Sequence, residues 1–303
     1  PGLEDLVTAH LAENMPESAK DTLLGADDEL AQRAWWVHRV YSPLLDAVPE
    51  SQATVYRDIE LPLVPILWAM ERVGIGADRS GLDALEASLG EAAGDFERQA
   101  FAAIGHEVNL ASPKQLQTVL FDELQMPKTR QTKTGFSTDQ SALSDLQESN
   151  PHPFLDALLG HRDQTKLRQI VEGLRQAIGN DGRLHTTFDQ TGTSTGRLSS
   201  LDPNLQNIPV RTAIGHEIRA TFVCQEPFQT LLTADYSQIE MRIMAHFSQD
   251  ESLIDAFQRG EDLHNYVGAQ VFQVDPTAVT AEMRTKVKAM SYGLAYGLSA
   301  SGL

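Results

Sequence analysis

Three observations on the 303 residues predict an α+β fold that is mostly helical. Apolar residues recur at helical spacing through most of the first 180 residues, beginning with Leu3, Leu6, Val7 and Leu11. Strand-like stretches are short and come late: "GRLHTTFDQ" at 182–190, "EIRATFV" at 217–223 and "FQTLLTAD" at 228–235. Helical patterns return after residue 238 without a regular strand–helix–strand alternation, which sets the chain apart from α/β folds.

Bulk composition allows two or three domains with ordinary cores, at 41% hydrophobic and 22% charged residues. The single cysteine, Cys224, rules out a disulfide framework or a cysteine metal cluster and fits a reducing compartment. No signal-peptide pattern is visible, and "LPLVPILWAM" at 61–70 is too short and proline-broken to span a membrane. The net charge of −18 opposes a polyanion, but it is unevenly spread. Residues 1–110 carry 20 acids and 7 bases, 111–180 carry 8 of each, and 181–303 carry 14 and 9. A protein so charged can repel a polyanion with one end and hold it with another.

Taken in order, residues 1–57 read as helices. Residues 58–73 read as one more helix, with Pro62 in its first turn and Pro65 kinking or shortening it. "GIGAD" breaks that helix, and 79–105 form a long Ala-rich amphipathic one. In "NLASPKQL", Ser112 reads as an N-cap and Pro113 as the first helical residue. Residues 127–143 form a polar, basic loop that re-enters a helix at Ser137 or Thr138. The helix over 153–178 carries Arg162, Lys166, Arg168 and Arg175. A long irregular stretch, "TGTSTGRLSSLDPNLQNIPVRT", fills 191–212, and helices are expected over 238–247, 252–258, 263–273 and 280–296.

Four constellations carry chemistry. Asp235 ends an apolar run and precedes a helix, where an acid can cap a turn or hold Mg²⁺ rigidly. Ser237 and Glu240 have the S-x-x-E spacing of a capping box. Arg284, Lys288, Tyr292 and Tyr296 recur every four residues, a helical stripe roughly 18 Å long that drifts ~40° per step. Its cationic half suits phosphates and its aromatic half a base, although a solvated amphipathic helix reads the same way. Gly293 and Gly297 would let a flat partner approach the backbone. His264 falls in the first turn of a helix that Asp262 can cap, a place that favours phosphate. Arg197, Asn204, Gln206, Asn207 and Arg211, in the irregular stretch, are of the types that contact phosphates and base edges.

Together these motifs resemble those of family A DNA polymerases. "DYSQIEMR" is similar to the family's first palm motif, D-Y-S-Q-I-E-L-R, with Met241 for Leu. "RTKVKAMSYGLAYG" resembles its fingers-helix motif, and "TGRLSSLDPNLQNIPVR" is nearly its template-primer motif letter for letter. "IELPLVPILWAMERVGIGAD" looks like the start of its polymerase region, so the resemblance covers about 58–303. It implies a right-hand architecture in a bacterial, cytoplasmic, nucleoid-associated monomer. Residues 1–57 would end a degenerate 3′–5′ exonuclease-like domain, 58–77 form the palm base and 78–180 the thumb. Residues 181–260 would be the first part of the palm and 261–303 part of the fingers.

The resemblance further implies template-directed addition of deoxynucleotides to a primer 3′-hydroxyl, with primer-template DNA and dNTPs as partners and two Mg²⁺ ions as cofactors. Asp235 and the Tyr236 carbonyl would hold the metal, and Glu240 would exclude a ribose 2′-hydroxyl. Gln238, His264, Arg284, Lys288 and Tyr292 would bind the nucleotide. Arg197, Asn204, Gln206, Asn207, Arg211 and Tyr296 would contact template and primer. Tyr292 stands where many bacterial members have Phe, which implies weak discrimination against dideoxynucleotides; Ser291 replaces a common Asn. The exonuclease motif Tyr-x₃-Asp is missing from 1–57, where Leu45 follows Tyr41 at that spacing, so proofreading is expected to be absent. The family's second catalytic acid sits in a His-Asp-Glu motif, and no such triplet occurs in these 303 residues. The chain is therefore expected to be a fragment holding half a metal site, inactive alone; a non-catalytic primer-template binding fragment is the alternative. A coincidental helical structural protein fits three ordered motifs poorly, and "GIG" at 74–76 is too short for a dinucleotide fingerprint.

Overall fold

The computed structural model describes residues 2–15, 26–133, 135–210, 212–260, 262–295 and 297. They divide into two compact units, 1–231 and 232–303. The expected helical predominance holds. Among the described residues, no helix is long and apolar enough to cross a membrane.

The first unit opens with α1 (Leu3–Leu11), α2 (Ala26–Ala47) and α3 (Glu50–Val55). Val7, Trp36 and Val40 form a small core there. Arg39 clamps Glu13 through two hydrogen bonds of 2.6 and 2.7 Å and lies over the rings of Trp35 and Trp36. A π-turn over Tyr56–Glu60 joins α3 to α4 (Leu61–Val73), so the helix expected from residue 58 in fact runs unbroken from Glu50. Proline explains the π-turn. Pro62 has no N–H to give, and the wider turn lets Leu61 donate to Tyr56 instead.

"GIGAD" does more than break a helix. It supplies β1 (Ile75–Ala77), the middle strand of a three-stranded antiparallel sheet. Asp78 then caps α5 (Arg79–Ile104) through Ser80. Ser112 and Pro113 begin α6 (Pro113–Gln117) as read, with the Ser112 hydroxyl accepting from Gln115 N–H. A π-turn over Thr118–Glu123 follows. The 127–143 segment is not simply a loop: β2 (Gln131–Thr132) and β3 (Gly135–Phe136) pair in it. Helix α7 (Gln140–Ser149) starts later than expected because Asp139, not Ser137, is its cap. Ser137 donates to that carboxylate instead.

Helix α8 (Pro153–Gln176) runs antiparallel to α5, since Glu86 meets Arg175 while Phe96 meets Gly160. A β-carbon at Gly160 would lie 2.6 Å from the Phe96 ring, so glycine sets the approach of the two helices. One core gathers at the far end of the pair around Phe154, Leu116, Leu120 and Leu143. A second gathers at the sheet end around Leu82, Leu174, Leu184 and Ile218. Each fully buried leucine or phenylalanine contributes about 1.5–3 kcal/mol.

The single strand expected over 182–190 is two. β4 (Arg183–Leu184) pairs with β1, and β5 (Thr187–Asp189) pairs with β6 (Ser199–Leu201). "EIRATFV" is mostly helix, α9 (Ala213–Ala220), followed by the two residues of β7 (Phe222–Val223) on the other side of β1. Thr212 caps α9 through Gly215 N–H, and that cap overrides the alternation of apolar residues. "FQTLLTAD" is not a strand. Its apolar residues have no ladder partner among the described residues, and Leu232 is 89% exposed. The second unit holds α10 (Ile239–Ser248), α11 (Glu251–Gln258), α12 (Leu263–Phe272) and α13 (Ala281–Ala295).

Two expectations follow. A β-carbon at Gly76 would fall 2.5 Å from the Val223 carbonyl oxygen, whereas one at Gly94, inside α5, meets nothing closer than 3.5 Å. Gly76→Ala should cost about 2 kcal/mol or more, and Gly94→Ala should gain up to about 1 kcal/mol; urea unfolding of both variants reads the contrast. The Asp139 carboxyl is held down to about 2 by the Ser137 hydroxyl, the Ala142 N–H and the Ser141 hydroxyl. A depressed carboxyl stabilises the fold above its unfolded value of 3.8 and loses that contribution as pH falls towards 2. The urea midpoint should fall over this window, and Asp139→Asn should flatten the fall.

Candidate functional site

Two sets of predicted residues lie in the two units. In the second unit, Asp235 sits exposed at the end of the irregular segment and Tyr236 is 81% exposed. The chain enters α10 through Gln238, whose φ of 54° is left-handed. Gln238 is thus the N-cap, and no side-chain cap bond forms, so the capping box suggested by Ser237 and Glu240 is absent. Glu240 lies in the first turn of α10, partly buried. The Ser237 carbonyl instead accepts from Arg242 Nε at 2.9 Å, and the Arg242 guanidinium lies 4.5 Å from the Phe257 ring centre, tying α10 to α11.

Helices α12 and α13 bring His264, Arg284 and Lys288 into one electrostatic neighbourhood. Asp262 caps α12, its Oδ1 accepting from the N–H groups of His264 and Asn265 at 2.9 and 3.2 Å. Its Oδ2 takes Arg284 Nη2 at 2.7 Å. Burial pushes the Asp262 carboxyl up, but the Arg284 hydrogen bond and the two amides outweigh it, leaving it below its ordinary value. His264 is only 2% exposed, not the surface residue that a lone histidine usually is. Burial lowers its pKa, Asp262 opposes that, and Arg284 and Lys288 add to it. Gly268 permits the packing: a β-carbon there would meet Val279 at 3.1 Å and Val287 at 3.7 Å. The backbone of Tyr292 continues α13, but its side chain, like Tyr296 and Arg211, lies outside the described residues.

In the first unit, Arg197, Asn204, Gln206 and Asn207 are all exposed. Two of them also build their own loop. Asn204 Oδ1 accepts from Gln206 N–H, opening a 3₁₀ turn over Leu205–Asn207, and Gln206 Nε2 donates to the Leu198 carbonyl. Beneath them the buried hydroxyls of Thr186 and Ser200 meet at 2.6 Å. Thr186 Oγ1 also lies 3.0 Å from the Leu201 carbonyl and 2.9 Å from that of Pro203, and Ser200 Oγ accepts from Leu205 N–H. Polar residues of this motif that sequence reading assigned to DNA are therefore carried on a hydroxyl pair it passed over. A groove of about 780 Å³ separates α8 from this loop, lined by Lys166, Gln169, Gln176, Asp202, Asn204 and Asn207. Lys166 is the cation of α8 that lines it. Arg162 turns away to the Thr138 carbonyl, and Arg168 and Arg175 pair with Glu86.

A carboxylate and a backbone carbonyl, as at Asp235 and Tyr236, are the hard oxygen donors that suit Mg²⁺. Among the described residues, no group of three or more His, Cys, Asp or Glu gathers as a complete metal cage. Asp235 therefore fits a site to which it brings one carboxylate.

The chain belongs to DNA polymerase family A, whose model matches residues 79–303. It is 49% identical over 313 aligned residues to DNA polymerase I of Mycobacterium bovis, covering 99% of this chain and 35% of that protein. DNA polymerase I of Mycobacterium leprae is 55% identical over 249 residues, 81% of this chain and 27% of the relative. The chain thus spans about a third of the length of such relatives. The POL domain of Pol1 from M. smegmatis, solved with DNA primer-template and dNTP, superposes on all of this chain and 52% of its own, with a TM-score of 0.88 and 48% identity. The fold is that of the thumb, palm and fingers region of the family.

Replacing Thr186 with Val would remove the one hydroxyl proton that lies within reach of the Leu201 and Pro203 carbonyls, leaving Pro203 to the Ser200 hydroxyl. The expected cost is about 1–3 kcal/mol, with Thr186→Ser close to wild type, as read by urea unfolding.

Proposed function

We propose that the protein to which these residues belong extends a DNA primer on a template, adding deoxynucleotides to the 3′-hydroxyl. The observation that carries this reading is the convergence of His264, Arg284 and Lys288 within the second unit, in a chain of this family. The M. smegmatis relative, bound to primer-template and dNTP, supports the same partners here. Arg284 and Lys288 would take the triphosphate as charged donors, with His264 beside them at the α12 N-terminus. Tyr292 would stack on the incoming nucleotide, Gln238 would line its pocket, and Glu240 would exclude a 2′-hydroxyl. Arg197, Asn204, Gln206, Asn207, Arg211 and Tyr296 would hold primer and template.

The Asp235 carboxylate and the Tyr236 carbonyl would ligate Mg²⁺. Two such ions, when bound, would favour ionisation of the primer hydroxyl and offset the charge of the departing pyrophosphate. In this reading 78–180 serves as thumb, 181–260 as palm and 261–303 as fingers, with 1–57 the end of an exonuclease-like domain. Asp235 is the one carboxylate assigned to the metal in this reading, and a second reading is that these 303 residues bind primer-template without chemistry.

Primer extension with Mg²⁺ and dNTPs separates the two. Extension that Asp235→Ala reduces by several orders of magnitude supports catalysis. Salt-dependent retention of primer-template with no extension supports the binding reading. If the polymerase reading holds, dideoxynucleotides should terminate extension readily, and Tyr292→Phe should restore discrimination in the same assay.

A further inference from the structure

The Asp262 carboxylate divides its two oxygens between two tasks. Oδ1 caps α12 at His264 and Asn265, and Oδ2 receives Arg284 from α13, a helix that starts 19 residues further on. The cap needs only an acceptor oxygen. The negative charge is not required for it, because Asn and Ser cap helices about as well as Asp. What the charge does is neutralise Arg284, beside a His264 that feels this carboxylate together with Arg284 and Lys288. The ion pair is partly exposed, 43% at Arg284 and 33% at Asp262, so an arriving anion can reach the guanidinium and water can screen the exchange.

We propose that Asp262 is the resident counter-ion of Arg284: it holds the guanidinium until a triphosphate takes it over, and takes it back when pyrophosphate leaves. The proposal rests on the reading of Arg284 as a triphosphate ligand. A carboxylate beside that ligand competes with phosphate for the same donor and repels it by like charge. Asp262 therefore weakens triphosphate binding and speeds its release, while fixing Arg284 next to His264 between turnovers. It acts through Arg284 and is a positioning residue.

The test uses the full-length polymerase containing this chain, bound to primer-template, with Asp262→Asn and Asp262→Ser as two neutral caps and Arg284→Ala as a reference. Tripolyphosphate affinity is measured by calorimetry, and pyrophosphate inhibition and KM for dNTP by extension; melting temperature checks the cap. Both neutral variants should bind tripolyphosphate about three- to fivefold more tightly, with KM for dNTP and the pyrophosphate inhibition constant falling in step. Unchanged or weaker binding in both, while Arg284→Ala abolishes it, would overturn the exchange alone. Equal binding by wild type and Arg284→Ala would overturn the reading of Arg284, and the exchange with it.

Discussion

The first unit depends on how closely two strands can approach the backbone of β1. Gly76 lies against the Val223 carbonyl on one side, and Gly74, at φ 60°, lies against the Leu184 carbonyl on the other. No side chain fits in either place. Because β1 is only three residues long, this contact is what brings each of 183–184 and 222–223 to it across more than a hundred residues of intervening chain. Other bonds then lock the junction. Asp78 N–H donates to the Thr221 carbonyl, Arg183 reaches the Val73 carbonyl, and His185 bridges the Glu71 carbonyl and Asp181. The base of α5, the end of α8 and the loop bearing Arg197 to Asn207 all take their positions from this sheet.

Much of this was legible in the sequence where the signal is local. Ser112 with Pro113, the long amphipathic run from Arg79 and the helices after Gln238 announce themselves through caps and periodicity. What was illegible depends on partners far along the chain. "GIGAD" reads as a break because nothing nearby shows that β4 and β7 will flank it. "EIRATFV" alternates like a strand, yet Thr212 caps it into α9. "FQTLLTAD" has the composition of a strand, but pairing, not composition, makes a ladder.

The candidate site shows the same division. The register of Arg284 and Lys288 on one helix follows from spacing of four, and their meeting with His264 follows from α12 packing on α13. The Asp262–Arg284 pair joins residues 22 apart and has no spacing signature, although an acid capping a helix beside a cationic stripe is a hint that could be followed. The buried Thr186–Ser200 pair had even less signal, since Ser and Thr in a polar stretch look like any loop. Charge counts also mislead at this scale. Three of the four α8 cations are engaged within the first unit, which leaves Lys166 to face the groove.

The antiparallel pair α5 and α8 also has a mechanical meaning. Its helices are 26 and 24 residues long, and a core sits at each end. At 1.5 Å per residue the pair is a beam of roughly 36–39 Å. It is clamped at the sheet by one core and loaded at its tip by the β2–β3 hairpin and α7, built on the other. A beam of that length converts a small rotation at its root into a large sweep: about 10° at the sheet carries the tip ~6 Å. Whatever the tip touches is thereby geared to angles set at three short strands.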